Sequence, residues 1–169
     1  MLTPSDFPWP QRDGVVIPTV FIQCSSEEDL GGQSKSNVGQ VELVSHIVPM
    51  LTSRGDDTAK ALKITVLTPY NKQIKALQHR LPSSVGCFTV DSFQGRESDI
   101  IIFSTVRCNV TGDIGFVEDQ RRLNVMWTRA KLALIIVGDR RTMTEGSGLW
   151  KRAIESCTEV KIETPTHEA

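Results

Sequence analysis

The chain's 169 residues, 39% hydrophobic and 23% charged, allow one domain with its own core and leave no room for two. A formal net charge of −1 excludes a binder that grips nucleic acid through bulk positive charge, so any such site must be local. Cys24, Cys87, Cys108 and Cys157 lie too far apart for a zinc motif, no apolar run approaches the roughly 20 residues of a membrane helix, and the start of the chain lacks the basic-then-apolar order of a secretion signal.

A soluble domain of the nucleus or cytoplasm is expected, with reduced thiols, no secretion and no membrane partner. Residues 1–14, with Pro4, Pro8 and Pro10 and no periodicity, read as an irregular lead-in. One domain is expected over 15–162, and 163–169 reads as a disordered tail. Residues 15–22 predict a strand interrupted by Pro18, followed by a polar loop over 23–36. From Asn37 the apolar residues Val38, Val41, Val44, Ile47, Val48 and Leu51 keep helical spacing, with Ser36 available as N-cap and Pro49 expected to bend or shorten the helix.

Next come a strand over 63–67, a helix over 71–81 with Ile74, Leu77 and Leu81 on one face, and a short strand over 86–90. Residues 99–106 are almost wholly apolar, as a strand covered on both faces should be. A loop over 107–115, a helix over 118–129, a strand over 132–137 and a helix over 149–157 complete the order. Strands alternating with helices predict an α/β fold: a doubly wound, mostly parallel sheet with helices on both faces.

In such sheets ligands gather beyond the carboxyl ends of the strands, which directs attention to three segments. Thr68-Pro69-Tyr70 follows KITVL, the run from Asp91 to Glu97 follows CFTV, and an arginine-bearing helix follows the 107–115 loop. On that helix Leu123, Met126, Trp127 and Ala130 form a stripe suited to pack on the sheet, while Arg122 and Arg129 stand seven apart along one flank. Arginine's planar fork matches phosphate oxygens, although the same spacing also describes an ordinary amphipathic helix with solvated arginines. In Asp91-Ser92-Phe93-Gln94-Gly95-Arg96-Glu97 the glycine would let a ligand approach the backbone; alternatively the segment is a turn with a surface ion pair. The Thr68-Pro69-Tyr70 turn could lay a hydroxyl, a backbone and a ring along a nucleic-acid strand, or be a common turn.

Together these segments resemble the second RecA-like motor domain of superfamily 1 helicases, in the branch that includes the nonsense-mediated-decay RNA helicase and senataxin. LTPYNKQ resembles that family's motif IV, VDSFQGRESD its motif V and RRLNVMWTRAK its motif VI. The FPWP lead-in, the SKSN segment, IGF before the arginines and IIVGD after them fit the same pattern, which covers residues 7–154. The resemblance implies that Arg129 is an arginine finger reaching the γ-phosphate of ATP on a partner domain, with Gln94 and Arg122 supporting the cleft between domains. It further implies that Gly95 and Glu97 lie against the nucleotide and that Thr68, Pro69, Tyr70, Asp91 and Ser92 touch a single strand of DNA or RNA. An arginine finger can contribute about 10³ to 10⁵ in rate, since phosphoryl transfer relies on positioning and charge neutralisation.

Departures from the pattern bear on activity. Gly31-Gly32-Gln33-Ser34-Lys35-Ser36 only imitates a phosphate loop, because Ser34 stands where glycine must precede the lysine, and Glu27-Glu28-Asp29 does not close an apolar strand as a magnesium-binding acid would. ATP and Mg2+ are thus expected only together with an N-terminal RecA-like domain, encoded in the same gene or on a separate chain. Gln40 replaces a common acid after SKSN, and Met126-Trp127 replaces smaller residues on the packed stripe. Two functions follow: the C-terminal half of an ATP-dependent helicase motor, inactive as an isolated chain, or a non-catalytic module that binds single-stranded nucleic acid or a protein.

Overall fold

The computed structural model describes residues 7–52, 62–115 and 119–162. Asp13 and Gly14 both adopt positive φ, 54° and 79°, the pair of left-handed residues that a tight hairpin needs. Gln11–Arg12 (β1) therefore pairs antiparallel with Val15–Val16 (β2). The lead-in read as irregular thus holds a hairpin, and Phe7, 4% exposed, anchors it to the core with Trp9 at its side. The strand read over 15–22 divides at Pro18, which cannot donate to a ladder, and resumes as Thr19–Gln23 (β3).

The remaining strands are Ile64–Thr68 (β4), Gly86–Thr89 (β5), Ser98–Ser104 (β6), Ala130–Gly138 (β7) and the two-residue Thr158–Glu159 (β8). With β3 they form one six-stranded sheet in the order β5-β4-β6-β7-β3-β8, every pairing parallel. The expected doubly wound α/β sheet is the architecture found, a RecA-like fold.

Helices cover both faces. Val38–Thr52 (α1) and Asn71–Arg80 (α2) lie over Val20, Ile22, Val66, Ile100, Ile102 and Ile135. Gln120–Thr128 (α3), Arg140–Gly146 (α4) and Gly148–Glu155 (α5) cover Phe21, Leu67, Ile101, Phe103, Leu134 and Ile136 on the other face. Successive strand residues alternate between the two cores, which explains why β6 and β7 read as unbroken apolar runs.

Local details depart from the sequence reading for identifiable reasons. Asn37, not Ser36, caps α1, its Oδ1 accepting from Gln40 N at 3.1 Å. The helix continues through Pro49 to Thr52, because Ile47, Val48 and Leu51 are buried and packing holds the last turn in place. Helix α4 and strand β8 leave no trace in the sequence pattern, because seven and two residues are too short for a period to show. Asp139 starts α4 by accepting from Thr142 N at 3.2 Å and Thr142 Oγ1 at 2.6 Å. The predicted tail at 163–169 lies outside the described residues.

Candidate functional site

The polar segments fall at both ends of the sheet, which corrects the expectation that all three gather at the carboxyl end. Thr68, Pro69 and Tyr70 leave the carboxyl end of β4, and Asp91 and Ser92 form a single 3₁₀ turn with Phe93 just after β5. Gln94, Gly95 and Glu97 instead lead into the amino end of β6, and Arg129 closes α3 at the amino end of β7. The reversal follows from topology. In a parallel sheet a loop leaves one strand at its carboxyl end and must enter the next at its amino end.

At the carboxyl end, Asp91 and Arg122 pair bidentately: Nε donates to Oδ1 at 3.1 Å and Nη2 to Oδ2 at 3.0 Å. The Asp91 hydrogen bond raises the Arg122 pKa. The pair borders a cleft of about 520 Å³ lined also by Pro69, Asn71, Thr89 and Val90. Ser92 is exposed, its hydroxyl donating to Thr89 O at 3.0 Å.

Thr68 and Tyr70 are 0% and 2% exposed, so neither the hydroxyl nor the ring faces outward as expected of strand contacts. Tyr70 joins the core beside Val90 and Phe93, because the turn after β4 directs alternate residues inward and only Pro69 remains half-buried. Burial raises the Tyr70 pKa against the opposing effect of Arg107.

Arg107, in a loop whose sequence carries no signal of a buried role, occupies the middle of this end. Val106 has φ +67° and Arg107 N donates to Thr105 O at 2.7 Å, the geometry of a rare γ-turn and a costly one for a β-branched residue. Two side chains hold it: Gln40 Oε1 accepts from Val106 N at 2.8 Å, and Asn37 Nδ2 donates to Val106 O at 2.9 Å. The turn sends the Arg107 side chain inward, where Nε donates to Glu28 at 3.0 Å, Nη1 to the Tyr70 hydroxyl at 3.0 Å, and Nη2 meets Asp113 at 3.2 Å. Burial disfavours the Arg107 charge, but the Tyr70 and Glu28 hydrogen bonds outweigh it and raise the pKa. Glu28 also accepts from Cys108 N at 3.2 Å and Asn109 Nδ2 at 2.6 Å, a structural use for an acid of the rejected magnesium-like run.

Gln40 belongs to a second buried network. Its Oε1 also accepts from Ser104 Oγ at 2.7 Å, while Gln73 Oε1 accepts from Asn37 N at 2.8 Å. Both contacts to Gln40 Oε1 are ones a carboxylate could accept, and its Nε2 is buried without a hydrogen-bond partner among the described residues. The residue does the acceptor half of an acid's work at the cost of one stranded donor.

At the amino end the contacts are sparser. Ser98 N donates to Arg129 O at 3.0 Å, and Ser98 pairs with Ala130, so Glu97 and Arg129 immediately precede paired positions on neighbouring strands. Glu97 is exposed and pairs with Lys131 at 3.2 Å. Gln94 is exposed, and Gly95, with φ +78°, has nothing within 4 Å of where a Cβ would stand. Arg129 is half-buried, and its Nε has no hydrogen-bond partner among the described residues. On α3, Leu123 and Met126 are buried as the stripe predicts, but Trp127 remains 36% exposed, and Ala130 lies beyond the helix as the first residue of β7.

The loop over 31–36 is not a phosphate cradle. Ser34 Oγ accepts from Lys72 N at 3.1 Å, and Asp29 accepts from Ser36 N at 3.1 Å and pairs with Lys72. Burial pushes the Cys87, Cys108 and Cys157 thiols up to about 11, leaving them poor nucleophiles at neutral pH.

A RecA-like sheet carrying these motifs in this order defines a helicase motor domain. The chain belongs to the AAA domain family, matched over residues 5–141, as a second RecA-like domain of the superfamily 1 helicases. It falls in the branch that includes the nonsense-mediated-decay RNA helicase and senataxin. The probable helicase MAGATAMA 3 of Arabidopsis thaliana is 38% identical over 73% of this chain. The regulator of nonsense transcripts 1 homolog of Drosophila melanogaster is 35% identical over 93%, and the ATP-dependent helicase NAM7 of Saccharomyces cerevisiae 36% identical over 89%. The chain spans 16%, 14% and 16% of the length of these three proteins, respectively.

Proposed function

We propose that this chain supplies the C-terminal half of an ATP-dependent helicase motor, working against ATP and Mg2+ held by a partner RecA-like domain. The observation that carries the proposal is the juxtaposition of Glu97 and the half-buried Arg129 at the amino ends of β6 and β7. Arg129 keeps part of its surface exposed, and arginine's planar fork suits a phosphate oxygen brought from outside the domain. Bound ATP would supply the phosphoryl group; Arg129 would neutralise charge there, with Gln94, Gly95 and Glu97 bordering the nucleotide. Arg122 is committed to Asp91 and in this reading holds the carboxyl-end cleft. A single strand of DNA or RNA would run past Pro69, Asp91 and Ser92, using the turn's backbone in place of the buried Thr68 and Tyr70 side chains.

The test joins the chain to a phosphate-loop RecA-like domain of a close relative and measures strand-stimulated ATP hydrolysis. Arg129→Ala is expected to lower turnover by about 10³ to 10⁵. The 169-residue chain alone should show no magnesium-dependent turnover. Turnover by the joined protein that is indifferent to Arg129→Ala would overturn the assignment.

A further inference from the structure

We propose that Arg107 is a positioning residue that locks the turn after β4 to the loop leading into α3. The proposal rests on the reading above in one respect, that α3 carries motor residues. The three prongs of the guanidinium end on three separate segments: Glu28 after β3, Tyr70 after β4 and Asp113 before α3. Arg107 is 6% exposed and its Glu28 and Tyr70 partners are buried too, so those two contacts are made away from competing water, while the Asp113 contact lies at the surface.

The loop is shaped to receive the fork. Asp113 Oδ1 accepts from Gly115 N at 2.9 Å, and Gly115 has φ +56°. A Cβ on Gly115 would stand 2.6 Å from Arg107 Nη1 and 3.2 Å from the Tyr70 hydroxyl, so the glycine permits a close approach that no other residue could make undisturbed. Asn109 ties the same loop twice, donating to Asp113 O at 2.7 Å and accepting from Asp113 N at 3.0 Å. The γ-turn at Val106, held by Asn37 and Gln40 from α1, is what aims the arginine inward. A chain of contacts therefore runs from the turn at Pro69, on one side of the cleft, to Gly115 in the loop that precedes α3, the helix whose Arg122 lines the other side. An ion pair serving stability alone would need Arg107 and Glu28; the Tyr70 and Asp113 prongs add a join between two segments far apart in sequence.

The test measures hydrogen exchange of the 169-residue chain and of three variants, Tyr70→Phe, Asp113→Asn and Arg107→Lys. The first two each remove one prong and keep the buried Glu28 pair, so both are expected to fold. Tyr70→Phe should speed exchange roughly three- to tenfold at residues 109–115 and in the first turn of α3, the fold-change of one lost hydrogen bond. Amides of β3 and α1 should be unaffected. Asp113→Asn should loosen the same loop, and Arg107→Lys should not restore it, because an ammonium keeps the charge but cannot span three partners. Acceleration confined to the neighbours of residue 70, or spread evenly through the sheet, would overturn the proposal. So would a loop fully protected by Arg107→Lys. Titration of the wild type with a fluorescent uridine 15-mer, run in parallel, tests the strand-binding reading, and its failure would leave the exchange result to decide Arg107 alone.

Discussion

The carboxyl end of the sheet holds buried polar networks centred on Arg107 and on Gln40, each side chain with several partners inside the domain. The amino end offers an exposed Glu97–Lys131 pair, an open Gly95 and a half-buried Arg129. The contrast separates two ways of using polar residues. Where groups answer one another internally, removing one strands the rest and destabilises the fold. Where a side chain has few partners in the domain and stays partly open to solvent, removing it costs the fold little and whatever meets it from outside a great deal.

Exchanging the two arginines tests that contrast most severely. Arg129→Ala should remove about 10³ to 10⁵ in turnover of the joined motor while lowering the unfolding free energy of the isolated domain in urea by less than about 1 kcal/mol. Arg107→Ala should cost about 3–5 kcal/mol, since Glu28 would be left buried and unpaired, and much of the protein is expected to unfold under mild urea. If the two variants proved equally destabilising, the division between the ends would fail.

Gln40→Leu should cost about 2–4 kcal/mol, because it leaves Ser104 Oγ and Val106 N without their acceptor and releases the γ-turn. Two glycines sharpen the comparison. Gly115→Ala meets both a left-handed φ and the Arg107 guanidinium and should cost about 2–4 kcal/mol, whereas Gly95→Ala meets open space and should cost only the backbone term of about 1–2 kcal/mol. Equal effects in thermal unfolding would mean that the close approach at Gly115 is not held in solution.

The smallest expected effect is a dependence on acid. Asp113 is held below the usual carboxylate range by the Gly115 N–H and Arg107. Burial pushes Asp139 upward, but hydrogen bonds from Thr142 and Gln23 outweigh it and lower its pKa. Both folded values are depressed, so their stabilisation is fully present above the ordinary aspartate pKa of about 4 and is lost as pH falls through the folded values. The urea midpoint should therefore hold steady from pH 7 down to about 5 and decline below about 4. Asp113 is 65% exposed, so its share is small, and Asp113→Asn should flatten the decline only slightly.

Much of the fold was legible before any coordinates. The apolar runs of β6 and β7, the helical spacing of α1 and the order of the motifs specified alternating strands and helices, since burial on both faces leaves a compositional trace. The β1–β2 hairpin has its trace too, since Asp13-Gly14 is a hairpin signal, but the prolines around it obscure the pattern. Tyr70 illustrates what composition does not carry. An aromatic residue at a loop beside a strand end reads as a contact surface, and only the direction of the turn puts its ring in the core.

The sequence by itself determined the fold class, the helicase family and which residue types stand in which motif, because spacing and chemistry are local properties of the chain. Tertiary structure alone decided that the motifs divide between opposite ends of the sheet and that Glu28, Tyr70, Arg107 and Asp113 meet at one point. Those four residues are separated by up to 85 positions, and their meeting depends on strand order, on the γ-turn at Val106 and on the space left at Gly115. No periodicity encodes such a convergence, since it exists only once the parallel sheet has set the distances between its loops.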